Sequence, residues 1–192
     1  EKVKKYNNIL LLSILWVIGS AHIVEAKPIC GMDSGSPASG KPIIVGGIHG
    51  NAAPGDFSAS TDAAKAYFDC VNANGGINGR PIDYKIENDQ WNPELAAQAA
   101  SKLVKDANAV AMVGNGSFIE MAVNAATYKA EGIMAMASAC AISECFESSN
   151  IVSTNQGPLP SNLGATQFAQ EELGSKNVAC IGLNIPNNGP WS

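Results

Sequence analysis

The chain has 192 residues, 46% of them hydrophobic and 15% charged, with a formal charge of −5. That is apolar matter enough for one or two packed domains, and it argues against intrinsic disorder. No basic run follows the first five residues, so the chain has little with which to neutralise a phosphate backbone, and nucleic acid is a poor partner for it.

At the N-terminus, Lys2, Lys4 and Lys5 precede the apolar run Ile9 to Ile18, and Val24 and Ala26 place small residues before a cleavage point. Residues 1–26 therefore read as a secretory signal peptide, since the apolar run falls well short of the roughly 20 residues that a membrane span requires. Residues 27–41, rich in Gly, Ser and Pro, form an irregular lead-in. Pro42 to Ile48 is a continuous apolar run and predicts a strand buried on both faces. A loop from His49 to Ser60 carries one aromatic residue, Phe57. A helix follows, in which Ala63, Ala66, Tyr67, Cys70 and Val71 recur at helical spacing, with Ser60 as its cap and Gly75 just past its end.

The chain then turns on Gly75, Gly76 and Gly79 into the alternation Ile82-Asp-Tyr-Lys-Ile86, a second strand. Asn92, Pro93 and Glu94 supply a cap, a first-turn proline and an acid at the positive end of a helix dipole. Ala96, Ala99, Ala100, Leu103 and Val104 form that helix's buried stripe. Strands are predicted over Ala109 to Val113 and Ile133 to Ala137, with a helix over Ser117 to Glu131 between them. Beyond a loop from Ser138 to Asn150, the pattern restarts with a strand over Ile151 to Thr154. A helix bearing Ala165, Phe168, Ala169 and Leu173 on one face comes next, and then a strand over Val178 to Leu183. Strands alternating with helices predict an α/β fold with a doubly wound parallel sheet, followed by the start of a second α/β lobe. The expected division is residues 27–152 for the first lobe and 153–192 for the beginning of the next, in a chain incomplete at both ends.

Five cysteines suit an exported, oxidising setting. Cys140 and Cys145 are spaced either for a small disulfide or as two free thiols. Cys30, Cys70 and Cys180 cannot be paired by spacing, although Cys30 and Cys70 could both fall at the bottom of one sheet. Cys30 as a lipid attachment point lacks the small residues that should precede it.

In an open parallel sheet, ligands collect beyond the carboxyl ends of the strands where strand order reverses. Four loops meet that description: His49 to Ser60, Asn88 to Asn92, Gly114 to Ser117 and Ser138 to Ser143. In the third, Ser117 and Glu120 are spaced as a capping box, and the helix start behind them suits an anion. Gly114 and Gly116 would let a ligand approach the main chain. Catalytic patterns are missing. Gly46-Gly-Ile-His-Gly50 and Gly114-Asn-Gly-Ser-Phe-Ile119 both fail as dinucleotide fingerprints, and Asn115-Gly-Ser-Phe-Ile119 fails as a nucleophile elbow. With His22 in the leader, His49 is the one histidine of the mature chain, which supports neither a histidine triad nor a clustered metal site. No cofactor and no enzymatic activity are expected.

The run Asn72-Ala-Asn-Gly-Gly-Ile-Asn-Gly-Arg-Pro-Ile82, followed by Asp89-Gln90 and Pro93, resembles the first lobe of type I periplasmic binding proteins, the group containing the leucine/isoleucine/valine-binding protein. The likeness extends over roughly Pro42 to Ser192 and is strongest from Asn72 to Pro93. It implies an exported, periplasmic or extracytoplasmic solute-binding protein of an ABC importer, partnered by a membrane permease. Two lobes would close on a small polar solute such as a branched-chain or other amino acid, an amide or urea. The resemblance further implies that Ser117, with Asn115 and Gly116, holds a ligand carboxylate, and that Ser138, Ala139, Cys140 and Ala141 meet an ammonium group while Phe57 covers the solute. This chain departs from the family at Ala141, where a hydroxyl is expected, and that departure widens the solute class beyond α-amino acids. Two other classes compete: a sensory ligand-binding domain of a receptor or regulator, and a Rossmann-type enzyme.

Overall fold

The computed structural model describes residues 30–31, 34–53, 55–138, 140–179 and 181. The expected signal peptide, Cys180 and Ala139 lie outside these residues. Strand β1 (Ile43–His49) is followed by a small hairpin, β2 (Asn51–Ala52) and β3 (Gly55–Asp56), and by helix α1 (Ser58–Ala73). Then come β4 (Ile82–Asn88), α2 (Pro93–Ser101) with a π-helical continuation over Lys102–Asp106, β5 (Ala111–Asn115), α3 (Phe118–Ala130) and β6 (Met134–Ala137). A short α4 (Glu144–Glu147), β7 (Ile151–Ser153) and α5 (Pro158–Glu171) complete the described elements. Among the described residues, no helix is long and apolar enough to cross a membrane.

Five strands form one parallel sheet in the order β4-β1-β5-β6-β7. Strand order therefore reverses between β1 and β5, as the alternating sequence pattern requires of a doubly wound sheet. Strands β1 and β4 run in register from Ile43 beside Ile82 to His49 beside Asn88. On one face, Ile48, Leu103, Met112 and Met121 are fully buried with the alanines of α2 and β6, each large side chain contributing roughly 2 kcal/mol through the apolar surface it hides. The other face packs Val45, Val71 and Ile82 against Phe68, Tyr84 and Val113. A disulfide from Cys30 to Cys70 ties the lead-in to α1, and a second joins Cys140 to Cys145.

The predicted cap of α2 is present: Asn92 Oδ1 accepts the Leu95 amide at 2.9 Å, with Pro93 in the first turn. Three expectations need correction. Helix α1 begins at Ser58, and Ser60 lies inside it with its hydroxyl turned to the carbonyls of Phe57 and Gly114. Its inward face runs through Thr61, Ala64, Phe68 and Val71, leaving Ala63, Ala66 and Tyr67 exposed. Thr61 can be buried because its hydroxyl donates to the Ser58 carbonyl and pairs with His49. Val178, Ala179 and Ile181 are not in a strand, since no strand among the described residues offers a ladder for them; the other residues of that predicted strand lie outside the described ones. Helix α5 buries none of its residues, and the α1 side of the sheet leaves Met134, Met136 and Val152 exposed on β6 and β7.

Candidate functional site

Main-chain hydrogen bonds gather the four loops at the carboxyl ends of the strands. The Gly116 amide donates to the Ile48 carbonyl at 2.9 Å and the Gly50 amide to the Gly116 carbonyl at 3.3 Å, so the β1 and β5 loops meet across the point where strand order reverses. The Asp89 amide donates to the His49 carbonyl at 3.0 Å, and the Ser138 amide to the Asn115 carbonyl at 2.8 Å. Each loop is thereby anchored to its neighbour by groups that every residue carries, and side chains remain for specific tasks.

Behind this seam lies a buried polar cluster. Ser117, Asn115, Asp89 and Glu120 are all fully buried. Ser117 caps α3, its Oγ accepting the Glu120 amide at 3.2 Å and donating to Asp89 Oδ2 at 2.5 Å. The Glu120 carboxyl does not return to the helix start as a capping box would. It takes a hydrogen bond from the Tyr128 hydroxyl on one oxygen and from Asn115 Nδ2, at 3.0 Å, on the other. Burial pushes the Glu120 carboxyl up from 4.5 to about 7, against the pull of these two donors. Asp89 is also raised by burial, while the Ser117 hydroxyl and the Trp91 amide act to lower it. Thr61 spends its one proton on the Ser58 carbonyl, so the 2.7 Å bond to His49 requires the proton on His49 Nδ1.

The β6 loop is satisfied within the lobe as well. Ser138 Oγ donates to the Asn115 carbonyl, Thr154 Oγ1 donates to the Ser138 carbonyl, and Asn155 engages both the amide and the carbonyl of Cys140. Of the residues singled out from sequence, Asn115, Gly116, Ser117 and Cys140 are buried, Ser138 and Ala141 are half-buried, and Phe57 is 41% exposed at the rim. The hydroxyl of Ser117 and the main chain of Cys140 already have partners inside the lobe. Among the described residues no group of acidic, histidine and cysteine side chains could hold a metal ion.

Sequence reasoning missed the aromatic cover over this cluster. Gln90 and Trp91 both take left-handed backbone angles, which swing the Trp91 ring over Gly50; there an added Cβ would lie 2.5 Å from the indole. Trp91 Nε1 donates to the carbonyls of Gly55 and Ala52, which pins the β2–β3 hairpin. Its ring meets the edge of Phe57 at 5.3 Å between centroids and lies 4.9 Å from Phe118. Trp91→Ala is therefore expected to cost about 1–2 kcal/mol for a half-buried ring and to speed amide exchange at Phe57, whose N–H donates to Gly50. Unchanged exchange there would show that the hairpin is held by other contacts.

The sequence profile described as periplasmic binding protein matches residues 42–190. No curated protein matches the chain by sequence. Among solved structures, a branched-chain amino acid transporter substrate-binding protein, LivJ, from Streptococcus pneumoniae in complex with isoleucine is 18% identical, with a TM-score of 0.60 over 70% of this chain and 39% of its own. A solute-binding protein of an ABC transporter from Rhodopseudomonas palustris in complex with 3,4-dihydroxybenzoic acid is also 18% identical, with a TM-score of 0.60 over 68% of this chain and 36% of its own. The leucine-binding protein LivK from Thermotoga maritima is 13% identical, with a TM-score of 0.58 over 70% and 38%. At such identities the likeness is one of fold, and the chain spans well under half the length of these relatives.

Proposed function

Because the chain belongs to the periplasmic binding protein family, a family of solute-binding proteins, we propose that it supplies the first solute-binding lobe of an extracytoplasmic protein serving an ABC importer. The gathering of four loops at the β1/β5 reversal carries this reading, since that is where open parallel sheets receive ligands. In this reading residues 27–152 form the lobe, residues 153–192 lead into a second, and closure of the two encloses the solute. The protein has no catalytic step to perform, and a membrane permease receives the solute from it.

The solute is a small polar molecule, an amino acid, amide or urea, received in the crevice beside the loops that follow β5 and β6. The Ser117 hydroxyl and the main chain of Gly116 and Cys140 are already engaged inside the lobe, which leaves solute contacts to the other groups around them. A specific observation supports a second solute class. Phe57, Trp91 and Phe118 present an aromatic surface at the rim, suited to stacking a planar ring, and an aromatic acid would use it. The complete protein should be melted with L-leucine, acetamide, urea and 4-hydroxybenzoate in turn, because a ligand that binds only the folded form raises the melting temperature. A rise with one of these, at solute concentrations far above its Kd, is the expected result; no shift with any of the four would overturn the reading.

A further inference from the structure

Where β7 ends, its pairing with β6 does not. The main-chain ladder pairs Ala137 with Ser153, and the next residue still reaches across: the Thr154 amide donates to the Ala137 carbonyl at 2.9 Å and its Oγ1 to the Ser138 carbonyl at 3.2 Å. After that a side chain takes over. Asn155 Nδ2 donates to the Cys140 carbonyl at 2.8 Å, and Asn155 Oδ1 accepts the Cys140 amide at 3.3 Å. A carboxamide has one acceptor and a donor pair set like a peptide group, so it can extend a ladder that the main chain has left. The same device recurs in this lobe, where the Asn72 carboxamide pairs both main-chain groups of Ile82, at 2.6 and 2.8 Å, and the Asn88 carboxamide those of Asn51, at 3.0 and 3.1 Å.

We infer that Asn155 is a positioning residue for the solute-binding loop 138–143, coupling that loop to the segment by which the chain leaves the sheet. The inference rests on the solute-binding reading above. From the other side the loop is fixed by the Cys140–Cys145 disulfide, and Cys145 belongs to α4, whose Phe146 ring packs against the Cα of Gly157. Residues 154 and 155 therefore grip the loop directly, at Ser138 and Cys140, while Gly157 meets α4 behind it, so the exit towards α5 and the loop are held together. Asn155 is itself exposed, and its Oδ1 also accepts the Ser153 hydroxyl; its hold on the loop lies in the two bonds to Cys140 and not in packing, which makes it separable from the core.

The test uses the complete protein with Asn155→Ala and Asn155→Asp. In Asn155→Ala, the amide of Cys140 should lose at least tenfold of its exchange protection, and the Kd for whichever of L-leucine or 4-hydroxybenzoate the wild type binds should rise about tenfold. Asn155→Asp should match the alanine variant at pH 7, where two acceptors face each other. Near pH 3 it should regain protection relative to wild type at the same pH, because an exposed aspartate is then mostly protonated and again offers one donor and one acceptor. A residue that merely stabilised the fold would not produce that recovery. Unchanged Cys140 protection in the alanine variant overturns the inference, as does an unchanged Kd. If the wild type binds neither probe, the solute reading fails for these two classes, while the exchange arm still decides whether Asn155 holds the loop.

Discussion

Replacing Glu120 by glutamine is expected to stabilise the protein by roughly 3 kcal/mol at pH 8 and by only about 1 kcal/mol at pH 5. The carboxyl is raised from 4.5 to about 7 by complete burial, so the folded state holds this proton more tightly than the unfolded chain does. Stability linked to the proton is thus fully present below pH 4.5, fades as the pH rises from 4.5 towards 7, and stays lost above. Glutamine mimics the protonated form at every pH and escapes that loss. It also fits the bonding. Its carbonyl can accept the Tyr128 hydroxyl as Glu120 does now. Its amide would face Asn115 Nδ2, but Asn115 Oδ1 is buried without a partner, and turning that carboxamide over gives the new donor an acceptor. Denaturant titrations of both proteins at the two pH values check this. An equal gain at both would mean that Glu120 is ionised throughout, held by its two donors against the cost of burial.

The cluster around Glu120 also shows where sequence reading stops. Spacing makes Ser117 and Glu120 a capping box, and the Ser117 half of it is present. The Glu120 half is absent because Tyr128, two turns along α3, and Asn115, on the strand before it, together satisfy the carboxyl inside the core. Nothing in a linear pattern says that a glutamate will face inward when its donors come from two elements. The inward face of α1 is hidden for a similar reason. Thr61 counts as polar until His49 and the Ser58 carbonyl are known to meet its hydroxyl. What periodicity does convey well is the alternation of strands and helices, and from it the parallel sheet and its reversal beside β1. The Asn92-Pro93-Glu94 start of α2 was equally legible, because a cap is a local matter of one side chain and one amide. Trp91 was not: its place over Gly50 depends on two successive left-handed residues, neither of them glycine, a strained choice that the hairpin and the Asp89 side chain hold in place.

The joint between α1 and β4 predicts the other large effect: Gly76→Ala should destabilise the protein by about 3 kcal/mol or more. Gly76 has a φ of 63°, and a Cβ there would sit 2.2 Å from the Arg80 carbonyl oxygen and 2.7 Å from the Ala38 Cβ. The left-handed angle alone costs a residue with a side chain about 1 kcal/mol. The rest comes from backbone that cannot give way cheaply. The Arg80 carbonyl accepts the Ile77 amide at 2.9 Å, closing a hairpin turn whose two central residues, Asn78 and Gly79, both have positive φ, the signature of an Asn-Gly type I′ turn. The Gly76 amide in turn caps α1 at the Val71 carbonyl, and the Gly79 carbonyl accepts the amide of Gly40 in the lead-in. Moving Arg80 therefore loosens a helix end, a strand entry and the segment tied down by Cys30 at once. Gly79→Ala is the control, for Gly79 has a similar φ of 78° and nothing within 4 Å of an added Cβ, so it should cost about 1 kcal/mol. Equal losses for the two substitutions, measured by thermal and denaturant unfolding, would show that backbone angle alone governs this joint and that the crowding at Arg80 is relieved without cost.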